Sequence, residues 1–188
     1  MTRLYFIRHG DAYDEQGLQL ENYPLNNFGR IQALQLAKRL QDNTFDAMYC
    51  SRVRRAMDTC QIVNDYHHNT VVYTSALNEV GNENWPQPGI VTAHAILKDF
   101  AKTTEHVYKT YQKICKRHPN QEVVIFTHGN WIRVLLTKIL ADGDPKVFTH
   151  FVIHNTSLNI IDYDNLTGFE YIITVSDAAH TQLYKTQI

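Results

Sequence analysis

Two uninterrupted apolar runs, "LYFI" at 4–7 and "VVIF" at 123–126, limit what this chain can fold into more than any other feature. Neither alternates with polar residues, so each suits a strand buried inside a sheet that helices cover. The sequence between them supplies such helices. Ile31, Ala33, Leu34, Leu36, Ala37 and Leu40 recur at helical spacing after Gly29, and residues 53–63 predict a second helix. Strands are expected at 45–50 and 71–73, and one or two helices within 91–116, where Ile96, Leu97, Phe100, Val107, Tyr111 and Ile114 keep the helical period. A further helix is expected at 132–140. The segments "SLNIIDYD" and "FEYIITV" then read as two strands joined by a hairpin around 165–168. This order predicts an α/β fold with a mainly parallel central sheet, helices on both faces and an antiparallel edge.

The chain's 188 residues suit one domain with a full core, and the only linker-like stretch, 80–89, is too short to separate two. A single domain over 1–188 is expected. Eighteen Lys and Arg against 19 Asp and Glu provide no global field for nucleic acid or an acidic membrane, so any anion site must be local. Cys50, Cys60 and Cys115 are odd in number and contain no C-x-x-C, which argues against a disulfide framework or a zinc ribbon and fits a reducing compartment. With no signal-like or membrane-spanning run, a soluble cytoplasmic protein is expected.

Both apolar runs end in a His-Gly pair, "LYFI-RHG" and "VVIF-THGN". Ligands of open α/β sheets bind beyond the carboxyl ends of the strands. If the two strands are neighbours, His9 and His128 face each other across one crevice, with Gly10 and Gly129 permitting tight turns and a close approach of ligand to backbone. The segment "CSRVRRAMDT" adds cations: Ser51 is a candidate N-cap, followed by Arg52, Arg54 and Arg55 at a helix start that already favours an anion. Helical spacing places Arg52 and Arg55 on one stripe and does not choose between them.

These residues resemble the histidine phosphatase superfamily, also called the phosphoglycerate mutase-like family. Its signature stands here as Arg8-His9-Gly10, and "PLNNFGRIQA" at 24–33 is similar to a second family stretch. Ser51, Arg55, Ala56 and Thr59 match a third, and that match selects Arg55. Glu79 in "LNE", His128 in "THGN", Asn155 in "HNTS" and the closing "SDAAH" complete an ordered likeness over nearly the whole chain. The family's usual glutamate after the signature is replaced by Asp11, and the asparagine expected a few residues later is absent from "RHGDAYDEQG". The beginning "RHGDA" instead resembles short bacterial phosphohistidine phosphatases. The short stretch after Glu79 resembles mutase-like protein phosphatases without a capping insertion.

The resemblance implies a phosphatase in which neutral His9 attacks phosphorus, Arg8, Arg55 and His128 hold the phosphate, Glu79 protonates the leaving oxygen, and Asn155 supports the site. The chemistry is consistent with these residue types. Arginine forks bind phosphate bidentately, and a carboxylic acid at the scissile bond contributes about 10²–10⁴-fold. No metal or other cofactor is implied, since His67, His68, His94, His106 and His118 lack ligand spacing with nearby cysteines or carboxylates. Tyr108 and Tyr111 fit a helix core stripe, and Trp85 could rim the site or simply pack. The expected partner is a phosphorylated substrate, a phosphoprotein or phosphohistidine first; the alternatives are a small-metabolite phosphatase, a phosphoglycerate mutase and a silent phosphate-binding module.

Overall fold

The computed structural model describes residues 1–13, 22–81, 85 and 94–181. Six strands, β1 (Thr2–Arg8), β2 (Ala47–Ser51), β3 (Val71–Thr74), β4 (Glu122–Thr127), β5 (Leu158–Tyr163) and β6 (Glu170–Asp177), form one sheet in the order β3-β2-β4-β1-β5-β6. The first four named from the β3 edge run parallel, while β5 is antiparallel to β1 and β6 to β5. The two apolar runs are the central pair, with Leu4 beside Val123 and Ile7 beside Phe126.

Their side chains alternate between two cores, which is why neither strand needs polar positions. Tyr5 and Ile7 pack with Leu36, Ala37, Cys60 and Val63 of α1 (Asn27–Leu40) and α2 (Arg54–Asn64). Leu4 and Phe6 turn the other way, to Val107 and Tyr111 of α3 (His94–Arg117) and Trp131 of α4 (Gly129–Ala141). Helices therefore lie on both faces, and the segment 91–116 contributes a single long helix. Two elements had no place in the sequence reading: a 3-10 turn at Ser75–Leu77, and α5 (Pro145–Phe148), which Asp144 caps and Pro145 starts.

Two local expectations are corrected, for Ser51 and Gly10, and one open alternative, for Trp85, is decided. Ser51 is the last residue of β2 rather than a helix cap; Val53 occupies the cap position of α2, and the Ser51 hydroxyl is used elsewhere. Trp85 is 3 % exposed and packs edge-on against Phe100 and Phe148, so this residue belongs to the core and not to a rim. The remainder of 82–93 lies outside the described residues. Gly10 has no positive φ, and what fills the space of its missing Cβ is protein: a Cβ would stand 2.6 Å from the Gly29 carbonyl oxygen. Tyr111 is fully buried as the stripe predicts, and all three cysteines are buried and free. Among the described residues, no helix is long and apolar enough to cross a membrane.

Candidate active site

Because β1 and β4 are adjacent and parallel with Arg8 beside Thr127, the residues that follow them, His9 and His128, leave the sheet side by side. Their rings are 5.1 Å apart, edge to face, and both are buried. His9 Nδ1 lies 2.7 Å from the Gly10 carbonyl oxygen, which can only accept, so Nδ1 carries the proton and Nε2 keeps its lone pair. Arg55 Nε donates to that Nε2 at 3.0 Å. Of the three arginines near the start of α2, Arg52 and Arg54 are exposed, Arg54 pairing with Asp58, and only Arg55 turns inward.

The backbone carrying His9 is held from four sides. His9 N–H donates to Thr127 O at 3.1 Å, and Gly10 N–H donates to Thr59 Oγ1 at 3.0 Å. The His9 carbonyl accepts from Asn155 Nδ2 at 3.0 Å, and Asp11 N–H donates to Gln32 Oε1 at 2.8 Å. Asn155 thus acts on the chain of His9. Asn26, the cap of α1, accepts from Gly29 N–H and donates to Asp11 Oδ2, which docks α1 against the loop. The closing "SDAAH" stretch forms a strut. Arg39 of α1 bonds Asp177 and His180 Nδ1, His180 Nε2 meets Thr156 Oγ1 at 3.1 Å, and Thr156 N–H donates to Arg8 O at 2.9 Å.

Arg8 donates through Nη1 to Ile153 O, and its buried Nε has no partner. Gly129 leaves room for that guanidinium, since a Cβ there would stand 3.3 Å from Nε. His128 Nε2 lies 2.8 Å from Ser51 Oγ, while its Nδ1 is buried and unpartnered. Burial pushes both imidazoles well below the usual histidine range; for His9 the charges of His128, Arg8 and Arg55 add to that, and for His128 those of Arg55 and Arg8. Both rings are neutral at pH 7 as a result.

Glu79 follows the 3-10 turn, and its Oε1 accepts from Val80 N–H at 3.2 Å. Part of Glu79 reaches solvent, while Arg8, Arg55 and Arg133 lie near enough to its carboxyl to feel its charge. Burial pushes that carboxyl up from the usual range, against the opposing pull of Arg8 and Arg55. Glu79, His9 and His128 each present a ligating atom within 4.8 Å of the others, the one such set among the described residues. Two guanidinium cations in the same crevice disfavour a dication there and favour an anion.

The structure therefore places Arg8, His9, Arg55, Glu79 and His128 near one another. Sequence reasoning gave no role to Asn78, Thr59, Gln32, Thr156 or His180, although all five stand inside the stretches that carried the resemblance. Arg133 had no signal of its own; it rests 3.8 Å over the Phe148 ring, donates to the Phe148 carbonyl, and lies close enough to Glu79 to feel its charge.

The chain is similar to several known proteins. The chain is 26 % identical over 164 residues to PhoE of Bacillus subtilis, described as an uncharacterized phosphatase, covering 78 % of this chain and 81 % of that one. In structure it is similar to YhfR of Bacillus stearothermophilus, with a TM-score of 0.79, 23 % identity and coverage of 96 % and 99 %. It is also similar to a mutant phosphoserine phosphatase of Entamoeba histolytica in complex with phosphoserine, with a TM-score of 0.76, 20 % identity and the same coverage. A family model described as histidine phosphatase superfamily (branch 1) matches residues 4–100 and 85–170, and the chain belongs to that superfamily.

Proposed function

We propose that this protein hydrolyses phosphate monoesters of alcohols through a covalent phosphohistidine on His9. The observation that carries the reading is the fixed tautomer of His9: Nδ1–H is held by Gly10 O, so Nε2 keeps a lone pair, which Arg55 Nε–H occupies and releases when the guanidinium turns to phosphate. Nε2 attacks phosphorus, the ester P–O bond breaks, and the leaving alkoxide takes the Glu79 proton. Water then attacks the phosphohistidine, gives a proton to the Glu79 carboxylate, and releases phosphate with His9 neutral again. Arg8, Arg55 and His128 bind the equatorial oxygens, where charge spreads in the transition state.

Glu79 points to the ester class. An acid with a raised pKa beside the nucleophile helps an alkoxide leave and does little for an aryl oxide or an imidazole. A small phosphorylated metabolite is favoured over a phosphoprotein by the similarity to a fold bound to phosphoserine. The test compares wild type with Glu79→Gln on phosphoserine, a phosphoserine peptide, a sugar phosphate and an aryl phosphate. The expected result is turnover of the small alkyl esters that Glu79→Gln lowers about 10²–10⁴-fold, with a much smaller loss on the aryl ester. Equal losses on both leaving groups would remove Glu79 from proton transfer, and turnover that survives His9→Ala would remove the covalent step.

A further inference from the structure

Counting hydrogens along the bonds that leave His128 places its proton. Asn78 Oδ1 accepts the Arg52 backbone N–H at 3.0 Å, which identifies that atom as the amide oxygen. The same oxygen is 2.9 Å from Ser51 Oγ, a favourable contact only if the serine hydroxyl spends its single hydrogen there. Ser51 Oγ then has lone pairs alone to offer. One takes the Val53 N–H at 3.1 Å and the other faces His128 Nε2 at 2.8 Å. Two lone pairs do not meet at that distance without a penalty, so Nε2 carries the hydrogen and Nδ1 of the neutral ring is bare. Nδ1 is the buried nitrogen that has no partner.

The charged and titratable groups packed around this ring are Arg8 and His9 from the end of β1, Arg55 from α2 and Glu79 beyond the 3-10 turn, with Arg133 on its own helix near Glu79. A bare Nδ1 cannot donate to a phosphate oxygen. It repels one unless a proton lies between them.

Resting on the phosphoryl reading above, we propose that His128 meets the ligand as a proton acceptor, so that phosphate binds together with one proton shared between His128 Nδ1 and a phosphate oxygen. A monoanion brings that proton on its own oxygen; a dianion must draw it from solvent. In either case the O–H or solvent proton ends on Nδ1, and an imidazolium forms that donates to phosphate on one side and to Ser51 on the other. The third cation of the site therefore exists only when the anion is present. Asn78, whose amide oxygen is taken up by Ser51 and the Arg52 N–H, is the positioning residue that selects this tautomer through Ser51.

The test is calorimetric titration of inorganic phosphate in buffers of different ionisation enthalpy, which reads proton uptake on binding. Wild type is expected to take up about one proton at about pH 8, where phosphate is mainly dianionic, and close to none at about pH 5.5. In Asn78→Leu the Ser51 hydroxyl is released to donate to Nε2, the tautomer reverses, and uptake at the higher pH falls towards zero. Glu79→Gln should keep the uptake. No uptake in wild type overturns the proposal, and uptake unchanged in Asn78→Leu assigns the proton elsewhere and does the same. Phosphate that fails to bind at all counts against the phosphatase reading instead. Should Asn78→Leu not fold, long-range proton–nitrogen NMR of the wild-type histidine rings decides: hydrogen on Nε2 of His128 supports the proposal, hydrogen on Nδ1 refutes it.

Discussion

Replacing Gly29 with alanine opposes two effects whose sizes differ enough to decide the outcome. Gly29 is in the first turn of α1, where alanine gains at most about 1 kcal/mol of helix propensity. A Cβ at that position would overlap the Asp11 carbonyl oxygen and come within 2.7 Å of Asp11 N. Both are backbone atoms with commitments, Asp11 N–H to Gln32 Oε1 and Asp11 O to the Asn26 N–H. Relief requires the loop after His9 to move away from α1. Overpacking of this kind costs about 1–3 kcal/mol, and each of the two hydrogen bonds that moves out of range costs about 1 kcal/mol more. The net expectation is a destabilisation of about 2–4 kcal/mol and a Tm lowered by about 5–15 °C for a chain of this size. Urea unfolding and calorimetry measure it, with the exposed Arg30→Ala as a control expected to stay within about 0.5 kcal/mol. Turnover of an aryl phosphate by Gly29→Ala should fall as well, because the displaced loop carries His9. A Gly29→Ala protein with unchanged or higher Tm and full turnover would refute the argument that the glycine-mediated approach of α1 sets the loop.

Acid should unfold the protein through its buried histidines. The folded pKa values of His9 and His128 lie below the unfolded value of about 6.5, so the unfolded chain binds more protons below that pH; stability is fully present above about pH 6.5 and falls on acidification by up to about 1.4 kcal/mol per pH unit for each. His180, pushed down to about 4 chiefly by burial, adds a loss that spans roughly pH 6.5 to 4. Urea midpoints at about pH 7.5 and 5 should differ clearly, and equal midpoints would contradict neutral burial. His180→Ala should remove the strut to Thr156 and lower kcat about 10–100-fold by loosening the chain that aims His9, with little change in phosphate affinity and partial recovery in His180→Gln; a loss confined to affinity would count against positioning.

Much of the site was readable because its chemistry is written in residues that have few other uses. A His-Gly pair at the end of an apolar strand, twice, predicted that two strand ends share one site, and β1 beside β4 places those ends side by side. Alternation of strand and helix gave the layers for the same reason, since hydrophobic period is local. The errors came where one residue type serves several purposes. Ser51 before an arginine-rich helix looks like a cap, yet β2 runs one residue further than expected, so the hydroxyl faces His128 and Asn78. Trp85 in a polar loop could have been a rim, and only the positions of Phe100 and Phe148 put it in the core. Gly10 suggested a turn for the ligand's benefit, whereas Gly29 O occupies the space.

By itself, the order of residues determined the layered α/β architecture, the ends of the strands where an anion could sit, and the identity of the groups able to grip it, because each follows from short-range period and side-chain chemistry. Helical spacing left Arg52 and Arg55 open and the family match chose Arg55, which the fold turns inward; the fold alone decided that Asn155 holds the backbone of His9 and which partners the ring nitrogens of His9 and His128 meet. The His9 proton is set by its neighbour Gly10, while the roles of Asn155 and of the Ser51–His128 contact depend on partners 27 to 146 positions away, and contacts of that range leave no periodic trace in sequence.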